Sequence, residues 1–269
     1  MIRINRGNEP EKLITARNAA LRSLRQLGRS PTSREVEGYR IVSDDLWKAQ
    51  HYKCCYCEAK LTKSYNDVEH YRPKAEANRQ PGCNLTHGYW WLAFTWSNLL
   101  FACPLCNRSG KNSDFPLAQG STPLHPEEHP DGREVPLLID PGADNPMEHI
   151  QYTFKSDGRP GSASQWIAEP RGNSIRGAHT IFSCDLNNQE FKELRGDYVE
   201  NYISPQADIL RDCILSDDIR SAEREFPRAL SLIKPRCSYA ALAYDALTFF
   251  VPDALLVRMQ RTWPHISAL

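Results

Sequence analysis

The fold is decided by one stretch: Cys54-Cys55-Tyr56-Cys57, then Asp67-Val68-Glu69-His70-Tyr71-Arg72-Pro73-Lys74, then Asn98-Leu99-Leu100-Phe101-Ala102-Cys103-Pro104-Leu105-Cys106-Asn107-Arg108-Ser109-Gly110-Lys111. Two Cys-x-x-Cys pairs enclose the dipeptide Glu69-His70 and a central Asn98, and Asn107 follows the last cysteine. A Cys-x-x-Cys turn offers two thiolates to one ion without strain, and two such turns complete the tetrahedron that a structural zinc prefers. Cys54, Cys57, Cys103 and Cys106 are the predicted zinc ligands; the two-residue spacer to Cys57 favours Cys54 over Cys55. The gap between the pairs is longer than in a ribbon-type finger, so the segment between the knuckles is an insert.

Outward from the knuckles, the pattern predicts a small metal-held module at 51–118, a helical lead-in at 1–50 and a mixed, then helical region at 119–269. The class is α+β, mainly helical. Leu13, Ala16, Ala20, Leu24 and Leu27 recur at helical spacing with Gly28 as a stop, and Ser33 is a candidate cap for a second helix that reaches Trp47. From Cys54 to His70 a hairpin is expected, with strand-like residues 60–65 turning at Asn66-Asp67. A short helix is expected from Pro104, and the aromatic run Trp90, Trp91, Phe94 and Trp96 reads as the packing face of the element that carries Asn98. In the Pro/Gly-rich middle, residues 135–139 and 149–154 look like strands, with a turn at Asp157-Gly158. Helices are predicted at 173–183, 187–203, 206–215, 219–233 and 238–250.

Thirty-three basic residues balance thirty-three acidic ones in the 269-residue chain. A polyanion would have to be drawn by a local patch or by a partner. The nine cysteines are an odd number in a chain too long for a small disulfide scaffold, so reduced thiols are expected. With no apolar stretch near ~20 residues, the expectation is a cytoplasmic protein with no membrane partner. Three apparent motifs are set aside. His125-Pro126-Glu127-Glu128-His129 matches a metalloprotease string but is broken by prolines; Glu148-His149 has no following Asn-Leu or knuckle; Gly110-Lys111 lacks the rest of a phosphate-binding loop, which argues against ATP hydrolysis by this chain alone.

The acidic-His pair, the central Asn-Leu and the terminal Asn inside a cysteine frame resemble the HNH endonuclease family over about 65 residues. The resemblance implies a ββα-metal nuclease module in which His70 is the general base and Asn98 orients its imidazole. Glu69 and Asn107 would hold one divalent ion, Mg²⁺ or Mn²⁺ given their oxygen donors. Arg72, Lys74, Arg108 and Lys111 flank the motif as candidate phosphate contacts. Phe115-Pro116-Leu117, Leu138-Ile139-Asp140-Pro141 and Asp185-Leu186-Asn187-Asn188 further resemble the bacterial HNH subgroup that contains the nuclease subunits of Septu-type and some retron anti-phage systems. That implies an ABC/SMC-like ATPase as partner and, in retron relatives, a reverse transcriptase with its RNA–DNA product. DNA is the favoured substrate; a tRNA-cutting effector and a non-catalytic zinc-held binding module are the competing readings.

Overall fold

The first knuckle is sewn directly to the strand that leads into the second. In the computed structural model, which describes residues 1–79, 86–156 and 165–268, β1 (Asp67–His70) pairs antiparallel with β2 (Leu99–Ala102). The register sets Asp67 opposite Ala102 and His70 opposite Leu99. The Cys55 amide donates to the Phe101 carbonyl at 3.0 Å. Gln50 closes the same seam: its side-chain amide donates to the carbonyls of Lys53 (3.1 Å) and Phe101 (2.7 Å), and its oxygen accepts from the Phe101 amide at 2.8 Å. Beyond Cys103 the chain turns into a short π-helix, Leu105–Lys111, the knuckle helix, close to where Pro104 predicts a helix. The expected hairpin does not form. Residues 63–65 form a 3₁₀ turn, and β1 pairs with β2 rather than with the segment before it. Asp67 leaves its turn role because Arg108 and Asn107 bind its carboxylate and hold it in the strand.

The helical lead-in forms α1 (Glu11–Arg25), as the spacing predicts, burying Leu13 and Leu24. Ser33 does not cap a helix. Gly38 takes a left-handed φ of 98°, so the chain makes a 3₁₀ turn at Tyr39–Val42 before α2 (Ser43–Ala49) begins. The first residues cross beneath β2: Ile4 donates to the Pro141 carbonyl at 2.7 Å, and Arg6 reaches the Leu99 carbonyl at 2.9 Å and Asp140 at 3.1 Å.

Farther on, β3 (Ile150–Lys155) pairs antiparallel with β4 (Gln165–Pro170), a strand that the sequence reading leaves unassigned. The predicted turn at Asp157-Gly158 lies outside the described residues. Residues 135–139 are not a strand: the one backbone bridge there is Leu117 with Pro136, which has no amide to extend a ladder. The remaining helices fall where the periodicity places them, α3 (Ile175–Ser183), α4 (Gln189–Tyr198), α5 (Ser204–Leu215), α6 (Ile219–Leu232) and α7 (Ala240–Phe250), with a short α8 (Asp253–Leu256) unpredicted. No single helix among the described residues is long and apolar enough to cross a membrane. α7, the most apolar, is a core helix packed on β3.

A buried carboxylate joins this helical part to the knuckles. Glu58, just after Cys57, accepts from the α7 amides of Ala240 (3.1 Å) and Ala241 (3.2 Å), and pairs with Lys53 at 2.9 Å and the Met1 amine at 2.7 Å. A negative charge at a helix N-terminus is favourable, and here it also neutralises two buried cations. One cluster of buried apolar side chains runs from Met1 to Trp263 through all three predicted regions.

Candidate active site

The sulfur atoms of Cys54, Cys57, Cys103 and Cys106 lie within 4.8 Å of one another, and all four residues are buried. Tetrahedral zinc at ~2.3 Å from sulfur requires sulfur atoms about 3.8 Å apart, and Cys57 and Cys103 stand at 3.9 Å. The backbone supplies the donors that thiolates accept: Tyr56 and Cys103 amides to Cys54 Sγ, and the Cys106 amide to Cys103 Sγ, each at 3.4 Å. The four-cysteine cluster thus fits a zinc ion. Cys55, next to Cys54, is outside it, as its spacing predicts.

His70 ends β1 and is buried. Its Nε2 lies 3.1 Å from the Ala93 carbonyl. A carbonyl only accepts, so Nε2 carries the proton and Nδ1 keeps the lone pair, with no hydrogen-bond partner among the described residues. The Tyr39 ring packs edge-on against the imidazole, centroids 4.5 Å apart. Burial, reinforced by the Lys74 charge, pushes the His70 pKa down to about 3, so the ring is a neutral base at physiological pH.

The Asn98 side chain hydrogen-bonds backbone groups, not the imidazole. Its Oδ1 accepts from the Arg72 amide at 2.8 Å, and its Nδ2 donates to the carbonyls of Arg72 (3.1 Å) and Leu92 (3.2 Å). Those bonds tie the chain after His70 to the 3₁₀ turn that carries Ala93, so Asn98 sets both the root of the imidazole and the carbonyl that aims it. The aromatic run is core, as expected: Trp90, Trp91, Phe94 and Trp96 are all buried.

Asp67 and Glu69, two residues apart on β1, both meet the knuckle helix. Glu69 is buried; Lys111 Nζ pairs with it at 2.7 Å and Tyr56 Oη donates to it at 3.4 Å. Burial outweighs Lys111 and raises the Glu69 pKa. Asn107, expected beside Glu69, instead donates from Nδ2 to Asp67 at 3.1 Å, which leaves its Oδ1 as the atom available to a cation. The sequence places Asp67 in a turn; its two-residue offset from Glu69 is the signal that both reach one face.

The four basic residues expected on the rim divide. Lys111 is wholly buried, with Nζ also donating to the His70 carbonyl at 3.0 Å, so it ties the knuckle helix to β1 rather than meeting phosphate. Arg72 is paired at 2.9 Å with Glu134, beneath the surface. Lys74 donates to the carbonyls of Ser33 (2.7 Å) and Val36 (2.9 Å). Arg108 is exposed but grips both oxygens of Asp67 at 2.7 and 2.8 Å. Asp67, Glu69, His70, Asn107 and Arg108 line one cleft of about 920 Å³, whose far wall is residues 30–33, Tyr39 and Arg40. A somewhat larger cavity, about 1090 Å³, lies behind the first knuckle and holds neither His70 nor the β1 carboxylates. His125 and Glu128 form a turn and not the helix that a metalloprotease motif needs.

Fold and site together define a mixed α+β protein, mostly helical, built on a four-cysteine cluster that positions an acidic-His strand. Its sequence is PtuB-like: over 205 residues, 72% of this chain, it is 33% identical to Septu protein PtuB of Bacillus mycoides (strain KBAB4), and the match spans 66% of that relative, just under two thirds. A stretch of 101 residues, 37% of the chain, is 30% identical to Septu protein PtuA of the same strain, covering 14% of it. Over 69 residues, 26% of the chain and 29% of the relative, it is 38% identical to a retron Vc95 protein of Vibrio cholerae serotype O1 biovar El Tor named as an HNH endonuclease. No family model and no solved structure matches the chain.

Proposed function

We propose that this chain is a metal-dependent HNH endonuclease, acting on DNA, and the cutting subunit of a Septu-type anti-phage complex. The observation that carries the reading is the placement of His70: neutral, clamped through Nε2 by the Ala93 carbonyl, in the cleft that Asp67 and Glu69 also line. An imidazole so held takes a proton from water as the water attacks phosphorus. The oxygens of Glu69 and Asn107, with Asp67 alongside, are the donors for one Mg²⁺ or Mn²⁺ ion, which would supply charge neutralisation at the phosphate and the leaving 3′-oxygen. Lys111 moderates the charge of Glu69, and Asn98 fixes the imidazole through the backbone. The products are a 5′-phosphate and a 3′-hydroxyl.

The partner in this reading is a PtuA-like subunit, an ABC/SMC-like ATPase, on the strength of the likeness to PtuB and the shorter likeness to PtuA. The test is the full chain, assembled with that partner, on plasmid, single-stranded DNA and tRNA with Mg²⁺ or Mn²⁺. DNA cutting that disappears in His70→Ala is the expected result. Cutting that survives the substitution sinks the assignment of the base, and cutting confined to tRNA sinks the assignment of DNA.

A further inference from the structure

The cleft that holds His70 has a wall that comes from outside the knuckle module, and on that wall stands an uncommitted cation. Besides His87, the basic side chains that line the cleft are Arg40, Lys74 and Arg108. Lys74 is spent on two backbone carbonyls and lies 4.8 Å from the centroid of the Tyr39 ring. Arg108 is spent on Asp67 in a two-bond fork. Arg40 is exposed, and among the described residues its guanidinium has no ion pair, hydrogen bond or ring contact.

Its position is nonetheless fixed relative to His70. Arg40 follows Tyr39, whose buried ring packs on the imidazole and, at 6.2 Å, on Phe94. It precedes the buried Val42 in the same 3₁₀ turn, and Gly38 admits the left-handed entry to that turn. The cleft also carries Asp67, Glu69 and Glu76, so without a free cation a polyanion would meet little attraction there.

We infer that Arg40 binds the nucleic-acid backbone beside the scissile phosphate, through the fork of donors that a guanidinium offers to phosphate oxygens. This rests on the endonuclease reading and extends it: the lead-in at 1–50 becomes a substrate-binding wall of the active site.

The experiment measures binding of a 30-base-pair DNA duplex to the full chain with its partner, in a His70→Ala background, from 50 to 300 mM NaCl. Adding Arg40→Ala raises Kd about tenfold at low salt and reduces the slope of log K against log salt by about 0.9, the value for one lost phosphate contact. Arg40→Glu weakens binding further, and Arg40→Lys restores the slope with part of the affinity. Arg34→Ala, an exposed cation outside the cleft, changes neither quantity. In the cutting-competent chain, Arg40→Ala raises KM more than it lowers kcat. An unchanged Kd and slope for Arg40→Ala and Arg40→Glu overturns the inference, even where His70→Ala abolishes cutting. Cutting that survives His70→Ala overturns the endonuclease reading instead.

Discussion

Replacing Lys111 by Met removes the ammonium that lies 2.7 Å from Glu69 while both side chains are almost entirely buried, 0% and 5% exposed. At an effective dielectric of ~20, opposite charges at that distance attract by about 6 kcal/mol, much of which offsets the cost of burying them. Removing one partner leaves the other buried without compensation, and such breaks cost about 3–5 kcal/mol. Out of a total stability of ~5–15 kcal/mol this is a large share. Lys111→Met therefore shifts the urea midpoint strongly downward, followed by circular dichroism at fixed zinc concentration. Glu69→Gln alone strands the ammonium and also destabilises. The double variant Glu69→Gln/Lys111→Met recovers most of the loss, since the buried charges leave together, with a coupling energy of at least about 2 kcal/mol. A Lys111→Met cost below about 1 kcal/mol, or a double variant that merely sums the two single losses, refutes the claim that this pair locks the knuckle helix to β1.

Four further outcomes follow from the same geometry. His70 has its folded pKa depressed from 6.5 to about 3, so the unfolded chain binds a proton that the folded one refuses as pH falls through that window; stability drops toward acid by up to about 5 kcal/mol, and His70→Phe, compared by urea unfolding at pH 7 and pH 4, loses that part of the acid sensitivity. Stripping the metal with a chelator, or replacing Cys106 by Ser, should release one zinc per chain and unfold the knuckle module, read by a metallochromic dye alongside near-UV circular dichroism. Asn98→Ala leaves the Arg72 amide and the Arg72 and Leu92 carbonyls without their partner; it should cost roughly 3 kcal/mol and lower kcat more than it raises KM, because the Ala93 carbonyl loses its anchor. Gly177→Ala would put a methyl group 2.1 Å from the His149 carbonyl oxygen, so thermal unfolding should report a loss of at least about 2 kcal/mol as α3 is pushed off the β3–β4 pair.

What local chemistry governs was legible without a structure. Two thiolates three positions apart reach one ion whatever surrounds them, so the cluster of Cys54, Cys57, Cys103 and Cys106 could be read from spacing. Helical periodicity placed α1 and α3 to α7, because an apolar stripe at that spacing has one way to be buried. The burial of the aromatic run followed from its density. Contacts between distant segments decided the rest. The partner of β1 lies on the far side of the insert, and no local turn signal points to it. Lys111 reads in sequence as a solvated charge, yet the knuckle helix folds it under β1, where Glu69 and the His70 carbonyl replace its water. Asn98 acts through carbonyls that a motif does not record, and Tyr39 and Arg40 reach the cleft only because Gly38 turns the lead-in toward it. Sequence by itself determined the four-cysteine cluster and the helices, because ligand spacing and apolar periodicity are local properties. Only the tertiary structure decided which of the site's charges are spent and which remain free, because a charge is spent or free according to the partner and solvent that packing gives it.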